Sequence, residues 1–247
     1  MIKGIILAGG YGKRLYPITK VISKQLLPVY NKPMIYYPIN TLIEIGIKDI
    51  LIITTLEDLI YFKNLLNDND DFNLNFEFKV QNKPNGIAEA FVIGEEFIQN
   101  EDVCLILGDN LFFNSKSITE MNLNKSSKIF VKKVENPNCY GVLEIINDTP
   151  KLIYEKPHEF ISNFAVVGLY MYTSSVIDKV KTLNPSKRGE LEITDLNNIY
   201  LNGGECDVVY LEDDSNWFDS GTFDSLLKAS NFVKNYEKFK GRAVSDD

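Results

Sequence analysis

An apolar run, Ile5-Ile6-Leu7, passes directly into Ala8-Gly9-Gly10-Tyr11-Gly12-Lys13-Arg14, and Lys24 follows shortly after. That combination suits a polyphosphate. Glycines let backbone N–H groups turn toward phosphate oxygens with no Cβ in the way. Lys13, Arg14 and Lys24 supply neutralising charge. The spacing excludes two familiar phosphate loops. One needs G-x-x-x-x-G-K-[ST], whereas Gly12-Lys13 is followed by Arg14 and no hydroxyl. The other needs G-x-G-x-x-G, and residue 15 is Leu. Taken alone, the glycines also fit a tight strand-to-loop turn that binds nothing.

Further segments follow in order: Ser23-Lys24-Gln25-Leu26-Leu27-Pro28, Val80-Gln81, Gly108-Asp109-Asn110, Tyr140-Gly141-Val142, Glu155-Lys156-Pro157, Arg188-Gly189-Glu190-Leu191-Glu192-Ile193-Thr194-Asp195 and Trp217-Phe218-Asp219-Ser220-Gly221-Thr222. With the opening LAGG-x-G-x-R-L and the KPMIYYP stretch, they cover nearly the whole chain. In this register the sequence resembles the sugar-1-phosphate nucleotidyltransferases, with the glucose-1-phosphate thymidylyltransferases as the nearest branch. The resemblance implies transfer of a thymidylyl group from dTTP to glucose 1-phosphate. The products would be dTDP-glucose, for deoxysugar or surface-polysaccharide synthesis, and pyrophosphate. It also implies Mg²⁺ as cofactor and a glycosyltransferase-A-like fold.

In that reaction one phosphate oxygen of the sugar phosphate attacks the α-phosphorus in line. The oxygen is already anionic near neutral pH, so no general base is required. This agrees with a chain whose single histidine, His158, reads as a solvated loop residue. The protein's task is to hold two polyanions together and neutralise the charge between them. By resemblance, Arg14 and Lys24 hold the triphosphate, within a loop shaped by Leu7, Gly9, Gly10, Gly12 and Lys13. Gln81 and Gly86 match the base-recognition segment. Lys156 would hold the sugar phosphate, Tyr140, Gly141, Glu155, Val166 and Tyr170 the sugar pocket, and Arg188 its margin. Asp109 and Asp219 would take Mg²⁺, which accepts one or two carboxylates plus phosphates and waters.

Read without the resemblance, these residues keep plainer roles. Asp-Asn and Asp-Ser-Gly favour turns. A lone Lys is commonly a solvated charge, and Arg188 fits a helix-flanking salt bridge. A Gln amide offers one donor and one acceptor to thymine or uracil alike, and does not read the thymine methyl.

The elements that must position these groups follow from periodicity. Residues 2–7, 49–54, 75–80 and 102–107 read as strands, and 33–45, 55–66 and 86–98 as helices, the second opening at a Thr55-x-x-Asp58 capping box. Residues 67–73 read as a surface loop. This alternation predicts an α/β fold, a Rossmann-like mixed and mainly parallel sheet with helices on both faces. Ligands then bind beyond the carboxyl ends of the strands, where the glycine loop, Gln81 and Asp109 all fall. Later, shorter strands are expected at 128–134, 141–146, 151–155, 164–172 and 207–211, and helices at 174–182, 195–202 and 223–236. With no Gly/Ser/Pro linker, the chain reads as one domain, a nucleotide half at 1–113 and a sugar-phosphate half at 114–247.

A net charge of −8 argues against a nucleic-acid partner but not against a local basic pocket. Three scattered cysteines, Cys104, Cys139 and Cys206, show neither disulfide nor zinc spacing. No stretch reads as a membrane span or secretion signal, which leaves a cytoplasmic protein. A homo-oligomer, dimer or tetramer, is expected. The chain stops soon after Gly241-Arg242-Ala243-Val244. Longer relatives continue with helices that help form an allosteric nucleotide site, so that site is not expected here. Three residues depart from the family pattern: Lys13 for Thr in the loop, Val167 for Thr beside the sugar pocket, and Asn85 for Asp near the base. Two alternatives stay open: UTP or another hexose 1-phosphate as substrate, and a catalytically silent binding regulator. The second is disfavoured by the presence of Arg14, Lys24, Asp109, Lys156 and Asp219 together.

Overall fold

The computed structural model describes residues 2–67, 73–121 and 126–243, without the side chains of 239–243. Most of the loop expected at 67–73, and the chain end from Val244, lie outside the described residues. Along the chain run β1 (Ile2–Ala8), β2 (Pro28–Val29), β3 (Lys32–Pro33), α1 (Tyr36–Glu44), β4 (Asp49–Thr54), α2 (Leu59–Leu66), β5 (Asn75–Val80), α3 (Glu89–Ile93) and α4 (Glu95–Ile98). They are followed by β6 (Asp102–Leu107), β7 (Asn110–Phe113), α5 (Lys116–Thr119), β8 (Ser127–Lys133), β9 (Gly141–Ile146), β10 (Thr149–Glu155) and β11 (Phe164–Tyr172). The last are α6 (Val176–Val180), α7 (Ile193–Asn202), β12 (Cys206–Tyr210), β13 (Asn216–Asp219) and α8 (Phe223–Ala243).

The central sheet has the order β10-β9-β11-β6-β1-β4-β5, with β8 also pairing β11 and β12 pairing β8. Strands β6, β1, β4 and β5 are mutually parallel. Strand β11 runs antiparallel to β6 and β8, and β9 and β10 form an antiparallel pair. The alternation of side chains across each strand splits the core in two. Ile5, Leu51, Ile53, Val103 and Leu105 face α3, α4, α6 and α7, whereas Ile6, Ile50, Ile52, Cys104 and Ile106 face α1 and α2. Helices therefore cover both faces, and each fully buried aliphatic side chain contributes about 1.5–3 kcal/mol of hydrophobic stabilisation.

The crevice arises from β11. Its Leu169–Tyr172 stretch pairs with β6, and Ala165 pairs with Val142 of β9 on the same edge. Because β6 ends at Leu107 and β9 begins at Gly141, the edge around 166–168 lies open between them. Loops leaving β1, β6 and β10 meet beside this gap.

Four local expectations change. The helix expected at 33–45 begins only at Tyr36, because Lys32–Pro33 pairs with Pro28–Val29. Helix α2 begins one turn after Thr55: the Thr55 hydroxyl donates to the Asp58 carboxylate at 2.9 Å and accepts from the Asp58 N–H at 3.2 Å, closing a turn before the helix. The helix expected at 86–98 breaks at Gly94, which packs so closely on Ile5 and Leu51 that a Cβ would crowd them. At the other end, α8 runs past 236 to Ala243. Among the described residues no helix is long and apolar enough to cross a membrane.

Candidate active site

A cleft of about 710 Å³ opens at the gap on β11. From the first half of the chain it is lined by Leu7, Gly10, Arg14, Lys24, Gln25, Ile87, Leu107, Asp109 and Asn110. From the second half come Asn138, Cys139, Tyr140, Gly141, Glu155, Lys156, Val166, Gly168, Tyr170, Ile193, Thr194, Trp217 and Asp219. Both halves therefore build one site.

Asp109 and Asp219 sit at its floor. Asp219 stands opposite Asn110 in the β7–β13 ladder, and the Ser220 N–H donates to the Asp109 carbonyl at 2.9 Å. Lys24 Nζ is ion-paired with Asp109 Oδ2, and Asn110 Nδ2 donates to Asp109 Oδ1 at 3.2 Å. Burial opposes charge on Asp109, but the Lys24 ammonium and these hydrogen bonds outweigh it and hold the carboxyl below its ordinary value. Asp219 goes the other way. Burial first, then the Asp109 charge, push it up, and Arg14 and Lys24 only partly offset this. A divalent cation between the two carboxylates would relieve that repulsion. Two carboxylates, with phosphates and waters completing the shell, fit Mg²⁺ rather than a closed protein cage. Among the described residues no group of three or more His, Cys, Asp or Glu gathers as a metal cluster.

Arg14 Nη2 lies 3.9 Å from Asp219 Oδ2, and its side chain is 61% exposed to the cleft and solvent. Gly221 accommodates it, since a Cβ there would collide with the guanidinium. Gly12 takes the left-handed region at φ +59°, closing the loop through its carbonyl, which accepts from Leu15 N and Thr19 Oγ1, both at 2.8 Å. Lys13 is exposed and does not line the cleft.

Gln81 leaves the end of β5 and reaches toward Gly9, where a Cβ would stand 2.9 Å from Gln81 Oε1. Its Nε2 donates to Gly86 O at 3.1 Å and to Glu89 Oε2 at 2.8 Å. Gly86 itself has φ +108° and presses on Leu191, leaving no room for a side chain. Asn85 donates from Nδ2 to Glu89 at 2.8 Å.

On the opposite wall, the rings of Tyr140 and Trp217 lie 5.0 Å apart. Burial, then the Asp219 charge, push the Tyr140 phenol up to about 12. Lys156, immediately after β10, is in the left-handed region at φ +44°, and its N–H donates to Tyr140 O at 3.0 Å. For a non-glycine residue such a backbone is strained, which is characteristic of functional positions. Lys156 Nζ is 3.4 Å from Glu155 Oε1, and Thr194 Oγ1 donates to Glu155 Oε2 at 2.6 Å. Val166 and Tyr170 point into the cleft. Val167 does not: strand alternation puts it in the opposite core, fully buried, so its exchange for Thr lies away from the pocket. Arg188 does not line the cleft either; it pairs with Glu192 at 2.8 Å, Glu190 at 3.4 Å and Glu155 at 3.6 Å. His158 is exposed, as expected of a loop residue.

Residues 3–236 match the family model described as nucleotidyl transferase. The chain belongs to the nucleotidyl transferase family. It is 48% identical to a glucose-1-phosphate thymidylyltransferase of Mycolicibacterium smegmatis, over 98% of this chain and 86% of that one. It is 47% identical to one of Mycobacterium tuberculosis, over 99% and 86%. A crystal structure described as a Bacillus anthracis glucose-1-phosphate thymidylyltransferase in complex with sucrose superposes with a TM-score of 0.87 at 42% identity, covering 94% of this chain and 95% of that one. A UDP-glucose pyrophosphorylase in complex with UDP-glucose gives 0.82 at 26% identity, covering 96% and 100%.

In this nucleotidyl transferase, motif reading passed over residues that the structure places in the cleft. Asn110 is one: its Oδ1 accepts from Gly168 N at 3.0 Å and from Trp217 Nε1 at 2.7 Å, while its Nδ2 holds Asp109. Trp217, Thr194 and Cys139 also line the cleft. Each stands within or beside a motif already recognised, which was the available signal. What motif reading lacked was the long-range pairing of β7 with β13.

Proposed function

We propose that this chain transfers a thymidylyl group from dTTP to α-D-glucose 1-phosphate, giving dTDP-glucose and pyrophosphate, with Mg²⁺ as the metal. The observation that carries this reading is the convergence of Arg14, Lys24 and Lys156 around the Asp109–Asp219 pair in one cleft. The names of the relatives support the choice of substrates.

Arg14, exposed at the cleft, binds the β- and γ-phosphates through its planar fork and stabilises the departing pyrophosphate. Gly9, Gly10 and Gly12 let the backbone approach the triphosphate. Lys24 lies where it neutralises the α-phosphate while keeping Asp109 ionised. Lys156, set beside Glu155 at the end of β10, orients the sugar phosphate. One of that phosphate's oxygens forms a bond to the α-phosphorus as the bond to pyrophosphate breaks. No proton has to move, because the nucleophile is already an anion. Glu155, fixed by Thr194, and the Gly141 backbone face the sugar hydroxyls, above a floor of Val166 and Tyr170, while Arg188 holds Glu155 from outside. Asp109 and Asp219 would hold Mg²⁺, which when bound would supply charge neutralisation at the phosphates.

The chain works in this reading as one domain, in the cytoplasm, and assembles as a dimer or tetramer, a state sedimentation equilibrium would measure. A second reading keeps the chemistry and replaces dTTP with UTP, because a Gln81 carbonyl accepts equally from thymine and uracil. Competition between equimolar dTTP and UTP, with products resolved by mass, decides between them. The proposal expects dTDP-glucose as the main product. A main product of UDP-glucose would establish the second reading, and no sugar nucleotide would overturn both.

A further inference from the structure

We infer that Lys24 is a latch on the cation site. It holds Asp109 in place of a divalent cation and releases it when a nucleoside triphosphate draws the ammonium onto its phosphates, so that cation and nucleotide are taken up together. The inference deepens the proposed function. It rests on that reading's assignment of Asp109 and Asp219 to Mg²⁺ and of Arg14 and Lys24 to the triphosphate.

Arg14, Lys24, Asp109 and Asp219 all line the cleft, and the four groups are paired with one another. Lys24 Nζ is ion-paired with Asp109 Oδ2, and Arg14 Nη2 stands 3.9 Å from Asp219 Oδ2. The two cations and two carboxylates sum to zero charge. The pairs are unequal, however. The Lys24 side chain is 15% exposed and that of Asp109 9%, whereas Arg14 is 61% exposed. Water and salt screen the outer pair, and the inner pair far less. A divalent ion arriving at Asp109 therefore meets a buried ammonium already on the oxygen it needs. It must overcome the repulsion of that charge and break the ion pair. Only Asp219 is offered to it without displacing a buried group.

Lys24 is placed to change partners without travelling far. Its stem lies along the glycine loop: a Cβ on Gly12 would stand 3.5 Å from Lys24 Cβ, and one on Gly10 3.8 Å from Cε and 3.9 Å from Nζ. The ammonium thus sits between Asp109 and the loop that faces the triphosphate in the proposed function. It carries three N–H donors, so a phosphate oxygen satisfies it as well as a carboxylate does. Asn110 Nδ2 donates to Asp109 Oδ1 at 3.2 Å and steadies that oxygen, so the exchange turns on Oδ2. A triphosphate that draws off both Lys24 and Arg14 leaves two carboxylates uncompensated, the charge a divalent cation matches. Asp109 is paired first with Lys24 and then with the cation, so its buried charge is never left bare.

The test uses Mn²⁺, which shares the oxygen-ligand preference of Mg²⁺ and whose free-ion electron-spin signal is lost on binding. Its dissociation constant is measured without nucleotide in the wild type, Lys24→Met and Arg14→Met. Lys24→Met keeps the stem and removes the ammonium. The wild type is expected to bind weakly and Lys24→Met about tenfold or more tighter, while Arg14→Met, which removes a screened charge, changes by no more than about threefold. Adding dTTP to the wild type should then bring Mn²⁺ onto the protein, read as enhanced relaxation of water protons. Lys24→Gln, which keeps a donor for Asp109, is the second variant if Lys24→Met fails to fold. A wild type that binds Mn²⁺ as tightly as the Lys24 variant overturns the inference. So does an equal gain in Arg14→Met, which would make the effect one of general charge, and so does absence of the relaxation enhancement in a wild type that forms dTDP-glucose. These results leave the transfer reaction standing, because dTDP-glucose formed with Mg²⁺ is measured separately. A wild type that forms no dTDP-glucose removes the proposed function, and the inference with it.

Discussion

Asp219 and Asp109 approach each other from opposite halves of the chain, with the Ser220 N–H bonded to the Asp109 carbonyl at 2.9 Å, yet their carboxyls are shifted in opposite directions. Asp109 has Lys24 as partner and stays ionised. Asp219 bears the residual repulsion. This asymmetry leaves a half-neutralised pair that a divalent cation would complete.

The pair therefore gives opposite mutational signs in metal-free protein. A carboxyl raised in the folded state costs stability. That cost grows as pH rises from the unfolded value through the raised folded value, and persists above it. Asp219→Asn removes the cost, so its Tm at neutral pH is expected to rise. Asp109 is lowered in the folded state; its contribution is present above the unfolded value and is lost as pH falls through the lowered one. Asp109→Asn leaves Lys24 mostly buried and unpaired, at a cost of about 3 kcal/mol. Thermal unfolding of the two variants without metal checks both signs.

The same shift sets the acid limb of activity. The proposed cation needs Asp219 ionised, so at limiting Mg²⁺ kcat/KM should fall on the acid side through a value above that of an ordinary carboxylate. Excess Mg²⁺ competes with the proton and moves the limb to lower pH. pH–rate profiles at two Mg²⁺ concentrations check this, and a limb insensitive to Mg²⁺ would assign it to another group.

Gly168 and Asn110 predict a positioning effect. A Cβ on Gly168 would fall 2.6 Å from Asn110 Oδ1 and 2.7 Å from Leu107. Gly168→Ala should displace Asn110 from Asp109 and Trp217, costing about 1–3 kcal/mol of stability. Transfer activity should fall further than stability alone accounts for. Comparing kcat at a temperature where the variant is fully folded, by circular dichroism, separates the two.

Lys156 carries both a charge and a strained backbone. Lys156→Ala should lower kcat/KM for the sugar phosphate by 10²–10³, on the order seen when one preorganised charge-stabilising donor is lost. Lys156→Gly loses the same charge but relieves the left-handed backbone, and should be the more stable of the two by about 1 kcal/mol. Steady-state kinetics with denaturant titration measures both.

Much of the parallel half was legible because its signals are local. Alternation and apolar runs mark β1, β4 and β6, and the fold rule then gathers Gly9, Gln81 and Asp109 at one edge. The missed features depend on distant partners. Strands β7 and β13 are four residues each and exist by pairing with one another, with no period of their own to read. The helix breaks at Gly94, where Ile5 and Leu51 pack closely, and neither is near in sequence. Val167 was placed beside the pocket by motif position, and strand alternation turns it away. The Gln81 amide illustrates the same limit within a site: its residue type was readable, but its orientation depends on Gly86 and Glu89.

The most direct measurement is pyrophosphate release from dTTP and glucose 1-phosphate with and without Mg²⁺, in the wild type and Asp109→Ala. Release is expected only when both substrates and Mg²⁺ are present, reduced on the order of 10³-fold or more in Asp109→Ala. Release that survives Asp109→Ala, or no release from any pyrimidine nucleoside triphosphate, would contradict the proposed function.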